Sequence, residues 1–192
     1  MTANGLDIVD TLRLELGLSV MLDETGRPRL NEGVERPRWP GKLDPSKTVV
    51  MDTSPTQDGE FWPAPRFEIL IANLDSVGIK VVQVGDPASE RLARADHVFR
   101  KLNASERAGV ISEALLWIGM NTSWRYIAAA LNKPQVVIVS SRDDVKPSWN
   151  DTFIVDAASH KAESKTLGPI SVTSVAEAAT KALKQLGIAA QL

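Results

Sequence analysis

Trp117-Ile118-Gly119-Met120-Asn121-Thr122-Ser123-Trp124-Arg125-Tyr126-Ile127-Ala128-Ala129-Ala130-Leu131-Asn132-Lys133-Pro134-Gln135-Val136-Val137-Ile138-Val139 carries the clearest structural pattern in the chain. It divides into a strand, a tight polar turn, a helix of small residues, a second turn and a second strand. Leu115 to Ile118 is a short apolar run closed by Gly119. Asn121, Thr122 and Ser123 are all good helix N-caps, because their side-chain oxygens accept from the unpaired amides of a first turn. Ile127 to Leu131 is small and apolar, which lets a helix lie close on a sheet, and Lys133-Pro134 stops it. Val136 to Val139 has no polar face, as expected of a parallel strand buried on both sides. A helix that begins just past such a strand points its free amides into the crevice at the strand's carboxyl end. Parallel sheets bind anions there, often phosphates. The sequence therefore places a ligand site at Asn121 to Ser123.

The same alternation extends outward. Thr48 to Met51 and Ile79 to Val84 read as buried strands. Ala64 to Val77 reads as a helix with Phe67, Leu70, Ile71 and Leu74 on one face, ended by Gly78. Gly85 to Glu90 reads as a turn into a further helix, with Pro87 near its first position. Val98-Phe99 reads as a short edge element. A helix over Ser105 to Ala114, a strand at Thr152 to Val155 and a last helix from Ser174 to Leu186, ended by Gly187, complete the chain. This pattern predicts an α/β fold: a Rossmann-like parallel sheet with helices on both faces. Leu6 to Leu16 predicts an amphipathic helix stopped at Gly17. Asp23 to Pro45, rich in Pro, Gly and charge, reads as an extended linker. Two units follow: an N-terminal helix and extended linker over 1–45, and a Rossmann-like domain over 46–192 whose crevice is expected to bind a nucleotide-sugar.

Composition narrows the chemistry. At 192 residues the chain is long enough for one good core. A net charge of −2 gives no electrostatic case for nucleic acid or an anionic membrane. There is no Cys, which rules out disulfides and thiolate metal sites. The two His residues, His97 and His160, fit no metal-ligand spacing, so no metal is expected. The acids of Arg142-Asp143-Asp144 read as part of a solvated loop. No apolar run reaches the ~18 residues of a membrane span, and the first residues do not form a signal peptide. The expectation is a soluble, cytoplasmic protein.

Three segments resemble one family. Glu60-Phe61-Trp62-Pro63-Ala64-Pro65-Arg66-Phe67 is similar to a Lys-x-Trp-Pro-x-x-Arg-Phe pattern. Gly85 to Glu90 is similar to a Gly-x-Pro-x-x-Glu turn. Ile118 to Pro134 is similar to Ile-Gly-x-Asp-Thr-Gly-x-x-His-x-Ala-Ala-Ala-Leu-x-x-Pro. In that order and spacing, the chain from about Trp39 onward resembles the C-terminal, donor-binding half of the heptosyltransferases, glycosyltransferase family nine. The resemblance implies one half of a GT-B fold, and a nucleotide-diphosphate sugar as donor substrate with no other cofactor. It also implies a protein partner or self-association to supply the acceptor half, for which residues 1–45 are too short. The departures are Glu60 for the family Lys, Asn121 for Asp, Ser123 for Gly, and Tyr126 for His.

Sugar transfer releases a diphosphate, and the donor half must stabilise the charge growing on it. Thr122, Ser123 and the amides after Asn121 suit that task; otherwise they form an ordinary helix cap. The resemblance implies that Glu90 holds the donor ribose, the alternative being a solvated helix acid. It brings Thr53 and Ser54 toward the diphosphate, the alternative being a plain turn. Glu60 repels a diphosphate unless it points outward or a cation intervenes. Arg125, with Trp124 at the rim, replaces the lost cation or faces a partner. Tyr126 donates a hydrogen bond or packs in the core. Trp62-Pro63 anchors a loop–helix junction. Two main readings of function follow: the donor-binding half of a nucleotide-sugar-dependent glycosyltransferase, or a catalytically degenerate domain serving as an interaction or assembly subunit. A third, a generic nucleotide-binding regulator, needs only the crevice.

Overall fold

A computed structural model describes residues 8–31, 33–36, 38–87, 89–99, 101–142, 145, 148–157 and 166–192. Leu6, Asp143, Asp144 and His160 lie outside the described residues.

In chain order the elements are α1 (Ile8–Leu16), β1 (Val20–Leu22), β2 (Pro28–Leu30), a 3-10 turn (Pro45–Lys47), β3 (Thr48–Asp52), α2 (Ala64–Ser76), β4 (Lys80–Val84), β5 (His97–Val98), α3 (Ala104–Glu113), β6 (Leu116–Met120), α4 (Trp124–Ala130), β7 (Gln135–Val139), β8 (Thr152–Asp156) and α5 (Val172–Gln185). Six of the strands form one sheet in the order β5-β4-β3-β6-β7-β8, and every pairing in it is parallel. The chain builds outward from β3 to one edge, returns, and builds from β6 to the other. The reversal falls between β3 and β6. There the helices following adjacent strands leave on opposite faces, and a crevice opens at the strands' carboxyl ends. Asp52 is level with both Val84 and Gly119 in the register, so the ends of the three central strands form one rim.

β3, β6 and β7 are buried along their whole length, which is why Val49 to Met51 and Val136 to Val139 within them read as apolar runs with no polar face. Their side chains alternate between two cores. Val49, Met51, Leu116, Ile118, Val136 and Ile138 pack under α2 and α5. Val50, Trp117, Val137 and Val139 pack with α3 and α4 residues on the other face. Helices thus cover both faces, as the sequence predicts. Asn103 starts α3 through a capping box with Glu106, and Ser171 starts α5 by accepting from the Ser174 amide. Gly17, Gly78 and Gly187, each just past a helix, have positive φ as helix-terminating glycines do.

Two sequence expectations need correction. Among the described residues, no helix stands between Pro87 and β5. Among the described residues, the connection from β4 to β5 is irregular, because side chains satisfy its backbone. The Gln83 amide donates to the Glu90 carbonyl (2.7 Å) and accepts from the Leu92 amide (2.9 Å). The Glu68 carboxylate accepts from the amides of Ala93 and Arg94, and Asp96 accepts from Val81 N–H. A helix there would give up these bonds.

The stretch from Asp23 is also more than a linker. It closes an antiparallel hairpin of β1 and β2. Asp23 accepts from the Thr25 hydroxyl (2.7 Å), the Thr25 amide (2.9 Å) and the Arg27 amide (3.0 Å). These bonds, the Thr25 hydroxyl foremost, hold its carboxyl down to about 2. Arg27 fastens the hairpin to the domain: it pairs with Asp151 at 2.6 Å and donates to the Ala129 carbonyl at 2.8 Å. Leu12 of α1 and Val20 of β1 are buried in the α3/α4 core. Among the described residues before Ser46, α1 and the β1–β2 hairpin therefore pack on the domain.

Candidate ligand site at the sheet's switch point

The switch point opens onto a hollow of about 450 Å³. Its walls come from the loop after β3 (Thr56, Gln57, Asp58, Glu60), the turn after β6 (Asn121, Thr122, Ser123), Tyr126, the end of β7, and one face of α1. A second hollow of about 320 Å³ has mostly apolar walls, among them Pro55, Phe61, Trp62 and Phe67, and a polar side formed by Thr53, Ser89 and Glu90. Of the eight residues singled out in the sequence, Asn121, Thr122, Ser123 and Tyr126 meet in the first hollow, and Thr53 and Glu90 in the second.

The other two stand elsewhere. Ser54 is 2% exposed and lines neither hollow; it belongs to a buried network beneath them. Arg125 is fully buried, not at the rim. Its guanidinium lies on the Tyr126 ring, 4.0 Å from the centroid, and donates to the Tyr126 hydroxyl at 2.8 Å. Burial lowers its pKa from the usual arginine value. An arginine followed by an apolar helix face is turned inward when its neighbours at 127 to 130 all pack on the sheet. Glu60, by contrast, does face the first hollow.

The turn itself differs from the expected cap. Ser123 is the N-cap of α4 but has helical dihedrals (φ −57°, ψ −23°), and its side chain makes no capping bond. The turn is closed instead by backbone bonds, Arg125 N–H to the Thr122 carbonyl and Tyr126 N–H to the Ser123 carbonyl, both 3.1 Å. This leaves the Ser123 hydroxyl for the hollow, where it donates to Glu15 of α1. The Thr122 hydroxyl oxygen is enclosed and has no hydrogen-bond partner among the described residues.

Gly119 matters for close packing. A Cβ added there would stand 2.6 Å from Trp117 Cζ2 and 3.0 Å from Asp52 Cβ. Both neighbours are buried, so neither can retreat into solvent. Gly119→Ala is expected to destabilise the protein by about 1–3 kcal/mol. A urea midpoint unchanged from wild type counts against this packing.

Beneath the rim lies a buried cation that the sequence reading missed. Arg107 of α3 pairs with Asp52, donates to Ser54 Oγ (2.7 Å), reaches Asp86 (3.3 Å) and lies 4.0 Å from the Trp124 ring centroid. It thereby ties together the segments after β3, β4 and β6. A signal existed: Arg107 shares a helix face with Val110 and Ile111, so a charge stands where the pattern asks for an apolar residue.

Three acids, Glu15, Asp58 and Glu60, line the first hollow, and no Lys or Arg does among the described residues. No three acidic or His side chains among the described residues gather closely enough to hold a metal ion. No described helix is long and apolar enough to cross a membrane.

No protein-family model matches this chain, and no curated protein matches it. Solved structures do. E. coli ADP-heptose LPS heptosyltransferase II superposes with a TM-score of 0.62 at 16% identity, over 76% of this chain and 49% of that one. A glycosyltransferase of family nine from Veillonella parvula gives 0.60 at 16% identity, over 74% and 48%. The E. coli heptosyltransferase WaaC, solved with ADP, gives 0.59 at 17% identity, over 72% and 45%. This chain spans about half the length of the structures it matches. At these identities the likeness is one of fold: the chain has the Rossmann-like α/β architecture of a half-length, heptosyltransferase-like domain.

Proposed function

We infer that this domain binds a nucleoside-diphosphate sugar at the switch point and acts as the donor-binding half of a heptosyltransferase-like glycosyltransferase. The acceptor side then comes from outside these 192 residues. One observation carries the reading: the turn after β6 lines a hollow of about 450 Å³ at the position where parallel sheets hold phosphates. Ser123 and Gln57 supply side-chain donors, and Thr122 a hydroxyl without a partner among the described residues. Donors fixed in this way stabilise charge developing on a leaving diphosphate without reorganising. The neighbouring apolar hollow has room for the rest of the nucleotide, with Thr53 and Glu90 on its polar side.

Titration calorimetry with ADP-, UDP-, GDP- and CDP-sugars tests this. Saturable heat with one of them is expected, and silence from all four removes the proposal.

A second reading has its own support. Three carboxylates and no Lys or Arg line the hollow among the described residues, which disfavours an anion. On that reading the domain keeps the fold, has lost catalysis, and serves as an assembly subunit. A native protein that purifies alone, as a monomer with nucleotide bound, speaks against it.

A further inference from the structure

One wall of the switch-point hollow is the chain's own leading helix. Ile8, Thr11 and Glu15 of α1 line it, at spacings of three and four, which is a single helix face. Both oxygens of the Glu15 carboxylate are held. The Ser123 hydroxyl donates to one and the Gln57 side-chain amide to the other. These two donors come from the segments after β6 and after β3, the pair of loops that flank the switch point. Ser123 makes no capping bond to its own helix, so its hydroxyl is committed to Glu15 alone.

A carboxylate and a phosphate ask the same of their surroundings: N–H and O–H donors at short range. We propose that Glu15 is an internal stand-in for the ligand's phosphate, and that α1 is an autoinhibitory strap whose clasp must open before a diphosphate can take the same donors. This rests on the diphosphate reading of the hollow. The strap is fastened in two ways. Leu12, fully buried, seats it on the core, while the Glu15 clasp, which is exposed, joins it to the two loops. Only the second fastening competes with a ligand. Opening it frees two donors and takes one of three carboxylates away from the hollow.

The test uses the full chain and its Glu15→Ala variant, with ADP and inorganic pyrophosphate as probes. Glu15 is exposed and Ala is the stronger helix former, so the variant is expected to melt close to wild type. A closed state that holds about nine molecules in ten weakens apparent binding about tenfold. Glu15→Ala is therefore expected to bind pyrophosphate or ADP roughly tenfold or more tighter than wild type. In wild type, saturating ligand is expected to speed hydrogen exchange at the amides of residues 8–17. Equal affinity in the two proteins, or binding that leaves exchange over 8–17 unchanged, overturns the strap and leaves the diphosphate site standing. No binding of either probe by either protein overturns the diphosphate reading itself, and the strap with it.

Discussion

Arg107→Ala is expected to cost about 3–5 kcal/mol of stability, because it leaves a buried carboxylate uncompensated. Asp52 is 1% exposed, and one of its oxygens already lacks a hydrogen-bond partner among the described residues. Its other oxygen depends on Arg107, and on the Ser54 amide, which donates to it at 3.0 Å. For a chain of this size the loss corresponds to a fall in melting temperature of roughly 6–20 °C. Arg107→Lys is expected to recover little, since an ammonium cannot stack flat on Trp124 while also reaching Asp52, Ser54 and Asp86. The informative control is the double variant Arg107→Met with Asp52→Leu. Replacing a buried pair by apolar residues removes the desolvation penalty along with the attraction, so the double variant is expected to be more stable than Arg107→Ala alone. A thermal melt of Arg107→Ala within about 1 kcal/mol of wild type contradicts this account. The consequence reaches the site, because the same guanidinium holds the segments after β3, β4 and β6 in one arrangement.

Trp62→Ala is expected to be comparably severe, about 3–5 kcal/mol, through loss of a large buried side chain and the cavity left behind. Trp62 is 2% exposed, and its ring meets Phe67 edge-on with centroids 4.7 Å apart. Its indole N–H donates to the Ile170 carbonyl at 3.0 Å, joining the start of α2 to the segment before α5. Two further bonds make the same connection: Leu167 N–H to the Phe61 carbonyl (2.8 Å), and Arg66 to Ile170 (2.9 Å). Trp62→Phe separates packing from hydrogen bonding. It keeps an aromatic ring on Phe67 and leaves Ile170 bonded to Arg66, so it is expected to cost only about 1 kcal/mol beyond the volume change. Urea unfolding of the two variants reads the difference. A Phe variant as damaged as the Ala variant shifts the weight from packing to the indole N–H. Trp62 also forms a wall of the second hollow, so the Ala variant enlarges that hollow as it loosens the fold.

Wherever a local pattern carried the information, the sequence was enough. Runs without a polar face, Val49 to Met51 and Val136 to Val139, mark strands buried on both sides, and such strands occur in parallel sheets. Apolar spacing in α2 and α5, and glycine after α1, α2 and α5, fix where helices lie and stop. From these alone came a doubly wound sheet, and with it the expectation that the turn after β6 opens onto a crevice. The tertiary structure supplied what no window of neighbouring residues contains. The β1–β2 hairpin has strands of three residues, too short to show a period, and is held by Arg27 and Asp151, 124 positions apart. The β4–β5 connection is irregular because Gln83 and Glu68, from other elements, satisfy its backbone. Arg125 turned inward because the face it shares with the apolar end of α4 packs on the sheet. Glu15 reached Ser123 across 108 positions. Local periodicity is set by backbone geometry within one element and can be read from the sequence. Which charges meet, which hydroxyl is already taken and which carboxylate faces the hollow depend on contacts between distant elements, and those exist only once the chain has folded.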